Sequence, residues 1–167
     1  MDSHLSAPLA TLLSEQADKS WQQFSGQYPE HTQAFIDKVD AKTLADFQQA
    51  LTLSDFILRS ALQAPDKVLH LFSEGYVYQT STPDYLSLLS EVLHNCQTEE
   101  QLHKQLRLFR LQQMTIIAFA DMVLSIELDE SLQRLSALAD ALILSALSWL
   151  TSFCKEKWGT PVNAEGK

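Results

Sequence analysis

The sequence predicts an all-α fold: an irregular helical bundle whose longest part is an antiparallel αα-hairpin over about residues 98–157. Three observations carry this. Four glycines and five prolines in 167 residues leave long stretches without a backbone breaker. Between the breaks, apolar residues recur every three or four positions, the spacing that lines one side of an α-helix. Hydroxyl residues, acids and prolines stand where helix starts need them.

In chain order, Leu9, Leu12, Leu13, Ala17, Trp21 and Phe24 share one face of a first helix, which Gly26-Gln-Tyr-Pro29 ends. Pro29 suits the first position of a second helix carrying Ala34, Phe35 and Val39, because a helix start has no use for the missing amide hydrogen. Leu44 and Phe47 mark a third. Thr52-Leu-Ser-Asp55 has a capping pattern, with Phe56, Ile57, Ala61 and Leu62 behind it, and Pro65 opens a helix with Val68, Leu69 and Phe72. Ser73 to Pro83 reads as loop, since Val77-Tyr-Gln-Thr has no partner strand. Thr82-Pro83 is read as a cap and first turn, placing Tyr85, Leu86, Leu89 and Leu93 inward.

Thr98-Glu-Glu-Gln101 is a capping box, and a long helix follows with Leu102, Leu106, Phe109, Ile116 or Ile117, Ala120 and Val123 in register. A turn near Glu127-Leu-Asp129 leads to a second long helix. Its expected inward face is Leu132, Leu135, Leu138, Ala139, Leu142, Ala146, Trp149 and Phe153. Two long amphipathic helices joined by a short turn lie antiparallel.

Composition limits the function. Apolar residues make up 46% and charged residues 20%, a globular balance for one domain. Twelve basic residues against 21 acidic give a charge of −9, a field that repels nucleic acid and anionic lipid. The most apolar stretch, Met114–Ile126, is shorter than the ~20 residues a bilayer crossing needs and has Asp121 in its middle. The start, Met1-Asp-Ser-His, lacks the basic and apolar regions of a secretory signal. Cys96 and Cys154, far apart and without a CxxC companion, read as free thiols, Cys154 as a small packing residue. A cytoplasmic protein without membrane or nucleic-acid partners is expected.

No chemistry assembles from the residues themselves. His70 with Glu74 is the best metal pair, but two ligands without a convergent third fit a surface pair on a helix better. His94 and Cys96 point to different helix faces. The isolated glycines build neither a phosphate loop nor a dinucleotide fingerprint, no serine sits in a G-x-S-x-G elbow, and no Asp-x-Asp pair occurs. Asp121 is read as a solvent-facing residue, with Arg107, Arg110 or Arg134 the available partners should it be buried. The basic cluster His103-Lys-Gln-Leu-Arg107-Leu-Phe-Arg110 is read as ion pairing with acidic neighbours such as Glu99 and Glu100, in preference to contact with another domain or a phosphate. No catalytic, cofactor-binding or metal-binding residue is assigned.

Leu106-Arg-Leu-Phe-Arg110, then Met114, Ile117-Ala118 and Asp121, resembles a helix of the glutamine synthetase adenylyltransferases, the bifunctional adenylyl-transferring and adenylyl-removing enzymes. Leu135-Ser-Ala-Leu-Ala139 resembles the helix that follows in that family, and Trp158-Gly-Thr-Pro161 with Asn163-Ala and Gly166 the segment after it. Ser54-Asp55-Phe56 with Pro65 resembles an earlier family pattern, so the likeness covers about residues 50–167. Leu111, Gln112, Ile116 and Ala120 stand where the family usually carries more arginines.

The resemblance implies a helical N-terminal segment over residues 1–157 of the adenylyl-removing half. Residues 158–167 are then a connector toward a nucleotidyltransferase core that this chain lacks. It implies a parent that transfers AMP to a tyrosine of glutamine synthetase and removes it by phosphorolysis, regulating nitrogen assimilation. Mg2+ and ATP or phosphate would serve that parent, with glutamine synthetase and a PII-type signalling protein as partners. The segment alone is expected to be non-catalytic support or docking structure, with self-association through an exposed apolar face. The alternative is a free-standing acidic helical interaction module, and a weaker one a metalloprotein built on His70 and Glu74.

Overall fold

The computed structural model describes residues 7–160. Among them are eight α-helices and one turn of 3-10 helix, with no strand. The helices are α1 (Ala7–Gln27), α2 (Pro29–Lys38), α3 (Ala41–Leu53), α4 (Asp55–Gln63), α5 (Pro65–Ser73), α6 (Tyr85–Leu93), α7 (Glu99–Met122) and α8 (Leu128–Trp158). The all-α expectation holds. The reading of residues 161–167 as part of a connector lies outside the described residues.

Local chemistry sets the helix starts. Asp40 caps α3, accepting from Thr43 N–H at 2.7 Å, and Ser54 caps α4, accepting from Ile57 N–H at 3.3 Å. Pro29 and Pro65 open α2 and α5. Thr98 accepts from Gln101 N–H at 3.2 Å, while the Gln101 side chain reaches back to Gln97 N–H at 2.7 Å, closing the box one residue earlier than in the usual form. The cap of α6 is Asp84, which accepts from Ser87 N–H at 3.1 Å, and not Thr82. Gly75 takes φ +75°, a left-handed turn open to glycine at no steric cost, and it ends α5 and leads into the Tyr76–Tyr78 3-10 turn.

The chain divides into two compact units. The first runs through Ser81 and takes in Leu111–Ser131. Its core is a relay of edge-to-face rings: Phe47 meets Phe24 at 5.3 Å, Phe35 at 5.2 Å and Phe72 at 4.9 Å, and Phe72 meets Phe119 at 5.2 Å. Ile57, Ala61, Val68 and Val77 close around them, fully buried. Tyr28 hydroxyl fastens the α1–α2 corner to α4 by donating to Leu62 C=O at 2.6 Å.

The second unit comprises Thr82–Arg110 and the chain from Leu132. Its buried residues include Tyr85, Leu89 and Leu93 of α6, Leu102 and Phe109 of α7, and Leu138 and Ala141 of α8. Trp149 stacks on Phe153 at 4.9 Å and donates from its indole N–H to Cys96 C=O at 3.1 Å. That bond ties the far part of α8 to the residues just before α7. In the first unit, Ser131 hydroxyl donates to Asp121 Oδ1 at 2.9 Å, tying the start of α8 to the end of α7.

Several inward assignments are corrected. Leu12 and Leu13 of α1, Phe56 of α4 and Leu86 of α6 are exposed. In α2 it is Thr32 and Phe35 that turn inward, while Ala34 faces out. The first helix runs through Gly26 to Gln27, because a single glycine costs a helix only about 1 kcal/mol and its terminal turn tolerates that. Val123 falls outside α7. In α8, Leu132 and Ala139 face outward, and the buried positions are Ser131, Arg134, Leu138 and Ala141.

Candidate interaction surfaces

The most unusual buried group is Arg134, whose side chain is fully enclosed in the second unit. Tyr85 lies near enough for the guanidinium to act on its phenol, and its ring stands edge-on to Phe109 at 6.4 Å. Burial pushes the Tyr85 phenol above its ordinary pKa of 10.0, and the nearby Arg134 charge only partly offsets this. The fold therefore holds the proton more tightly than the unfolded chain does. Stability from this group is complete below pH 10 and falls as the pH rises above it. Denaturant melts across the alkaline range should show that fall, and Tyr85→Phe should lessen it, leaving the part that the likewise raised Tyr78 phenol contributes.

The basic face of α7 is made of His103, Lys104, Arg107 and Arg110, all exposed. Among the described residues, no ion pair within 4 Å joins these groups to Glu99 or Glu100, so the expected pairing is not formed. Asp121 is exposed, as a solvent-facing position should be, and its bond is to Ser131 and not to an arginine. The Leu106–Arg110 motif thus divides by helix geometry: Phe109 is buried, Leu106 half-buried, and both arginines point to solvent.

His70 lies 3.9 Å from Glu74, but Glu74 is engaged more closely by Lys38, 2.6 Å away. The Lys38 ammonium holds the Glu74 carboxyl below its ordinary pKa. A cation already occupies the carboxylate, so the pair is a surface ion cluster. No group of three or more metal-ligating side chains gathers among the described residues.

Both cysteines are free, as expected, but Cys154 is exposed and not a packing residue. On α6 and α8, two open grooves share Trp149 and Ser152: one lined by Leu86, Leu93, His94 and Leu144, the other by Cys96, Phe153 and Lys157.

The largest feature sequence reasoning missed is the outer face of α8. By length and composition this helix is apolar enough to cross a membrane, and only 11% of its most apolar 18-residue window is buried. No charged residue occurs from Ala141 to Cys154. Ile143, Leu144 and Leu147 stand open to solvent there. The signal was present in that uncharged run, longer than the Met114–Ile126 stretch.

Residues 44–167 match the family model for glutamate-ammonia ligase adenylyltransferase. The chain is 32% identical over 166 residues to the bifunctional glutamine synthetase adenylyltransferase/adenylyl-removing enzyme of Shewanella woodyi, covering 99% of this chain and 17% of that protein. It is 31% identical over 150 residues to the enzyme of the same name from Shewanella loihica, covering 90% of this chain and 15% of that protein. The chain thus spans about a sixth of the length of these curated relatives. With most of its length matched in this way, the chain belongs to the glutamate-ammonia ligase adenylyltransferase family.

Proposed function

We propose that this chain is the N-terminal helical part of an enzyme that adds AMP to a tyrosine of glutamine synthetase and removes it by phosphorolysis, regulating nitrogen assimilation in the cytoplasm. Residues 1–157 supply support or docking structure, and residues 158–167 lead toward a nucleotidyltransferase core. Glutamine synthetase and a PII-type signalling protein are the partners in this reading, and Mg2+ with ATP or phosphate serves the core. The observation that supports it is one of proportion: a relative named for both activities aligns along 99% of this chain, which amounts to 17% of that relative. The uncovered apolar face of α8 agrees, since a helix of that composition gains stability only when another surface removes it from water. Self-association through that face belongs to the same reading.

In phosphorolysis, phosphate attacks the AMP phosphorus, the phosphorus–tyrosine oxygen bond breaks, and ADP and the free tyrosine hydroxyl form. The chain alone, given adenylylated glutamine synthetase, Mg2+ and phosphate, is expected to release no ADP, with the whole Shewanella woodyi enzyme as positive control. Turnover by the chain alone overturns the proposal.

One observation favours a free-standing acidic interaction module: the excess of acidic side chains falls on the first unit, while the second holds acids and bases in equal number. Reading the coding sequence past Lys167 separates the two. A glycine-rich turn followed by Asp-x-Asp favours the enzyme, and a stop codon favours the module.

A further inference from the structure

We infer that the basic face of α7 is a docking surface for an acidic protein, whose carboxylates pair with Arg107 and Arg110. Both arginines belong to the Leu106–Arg110 motif, and the fold accounts for only half of that motif. Phe109 is buried and Leu106 half-buried, so the apolar members seat α7 in the second unit. Arg107 and Arg110 are exposed, and among the described residues neither has an ion pair or a hydrogen bond. Other cations of the chain do reach acids: Lys38 lies 2.6 Å from Glu74, and Lys42 2.6 Å from Asp46. With His103 the two arginines stand at i, i+4 and i+7, one side of the helix over two turns, and Lys104 flanks them. The rise from His103 to Arg110 is about 10 Å.

Charge selects the occupant. A guanidinium fork matches a carboxylate or a phosphate. A nucleic acid or an anionic membrane, however, meets the field of the whole chain, which carries −9 with the excess on the first unit. Glu99 and Glu100 stand one turn before His103 and Lys104 on the same side of α7, and they repel a long run of negative charge laid along the helix. A second copy brings its own −9 and is repelled likewise. A protein partner escapes these penalties because its carboxylates are few and local. Two acids at i and i+3 or i+4 of a helix are spaced to meet both arginines, and neutral or basic residues beyond them pass Glu99 and Glu100. The inference stands on α7 within the second unit and does not depend on the enzymatic reading.

The probe is a fluorescently labelled helical peptide of about 20 residues with paired glutamates at i and i+4 along one side. Fluorescence anisotropy at low salt should show it binding the 167-residue chain. An isomer with the same glutamates dispersed round the helix should bind at least about fivefold more weakly. Arg107→Glu with Arg110→Glu should weaken the peptide at least about tenfold, with circular dichroism confirming unchanged helix content. Lys155→Glu with Lys157→Glu changes the net charge equally but on α8, and should leave the affinity within about threefold. Absence of binding overturns the inference, as does equal binding of the isomer or an equal loss from the two double variants. Duplex RNA or anionic vesicles held through Arg107 and Arg110 more tightly than the peptide would overturn it in favour of a polyanion. Self-association that Arg107→Glu with Arg110→Glu abolishes would overturn it in favour of a second copy.

Discussion

Phe47→Ala is expected to cost about 3–5 kcal/mol of unfolding free energy, read as a lower midpoint in a urea or guanidinium melt. The ring is fully buried and touches four others, Trp21, Phe24, Phe35 and Phe72, so its removal opens a cavity that α1, α2, α3 and α5 all border. Rigid aromatic neighbours collapse poorly into such a space, which puts the cost toward the upper end. Phe47→Leu refills much of the volume and should recover part of the loss, though it forfeits the edge-to-face contacts. A Phe47→Ala protein as stable as the parent would mean that the first unit's core is not organised around this ring.

The second large effect is expected at Arg134. Its aliphatic stem packs in the interior, and its guanidinium charge acts on the buried Tyr85 phenol. Arg134→Ala removes both and leaves a cavity in the second unit, at a cost of about 2–4 kcal/mol. Arg134→Met keeps the stem's volume and avoids burying a charge, so it should recover much of that loss. Arg134→Lys should not, because an ammonium is more strongly hydrated and lacks the planar fork. The order Met above Lys in stability is the discriminating result; the reverse order would mean that the charge itself holds the unit together.

Helix starts were legible in the sequence wherever one residue type answers one need, as at Pro29, Ser54, Pro65 and Thr98. At α6 the competition was between Thr82 and Asp84, and the carboxylate nearer the helix took the role. The inward face of α8 was not legible, for a physical reason. From Ala141 to Cys154 there is no charge to mark an outer side, so leucines spaced for burial lie on every face and periodicity cannot choose among them. Arg134 was hidden by the opposite rule, since arginine is ordinarily at the surface. The family was readable through the order of Leu106–Arg110, Ile117-Ala118 and Trp158-Gly-Thr-Pro161, yet that order says little about what Arg107 and Arg110 touch.

The path of the chain has a consequence for taking the molecule apart. It leaves the first unit at Ser81, returns at Leu111 and departs again after Ser131, so Phe119 reaches Phe72 and Tyr78 from a later stretch of polypeptide. Protease cleavage at the exposed Ser81–Thr82 bond would sever the backbone but not that ring packing. The two pieces should travel together through a native column and part only in denaturant.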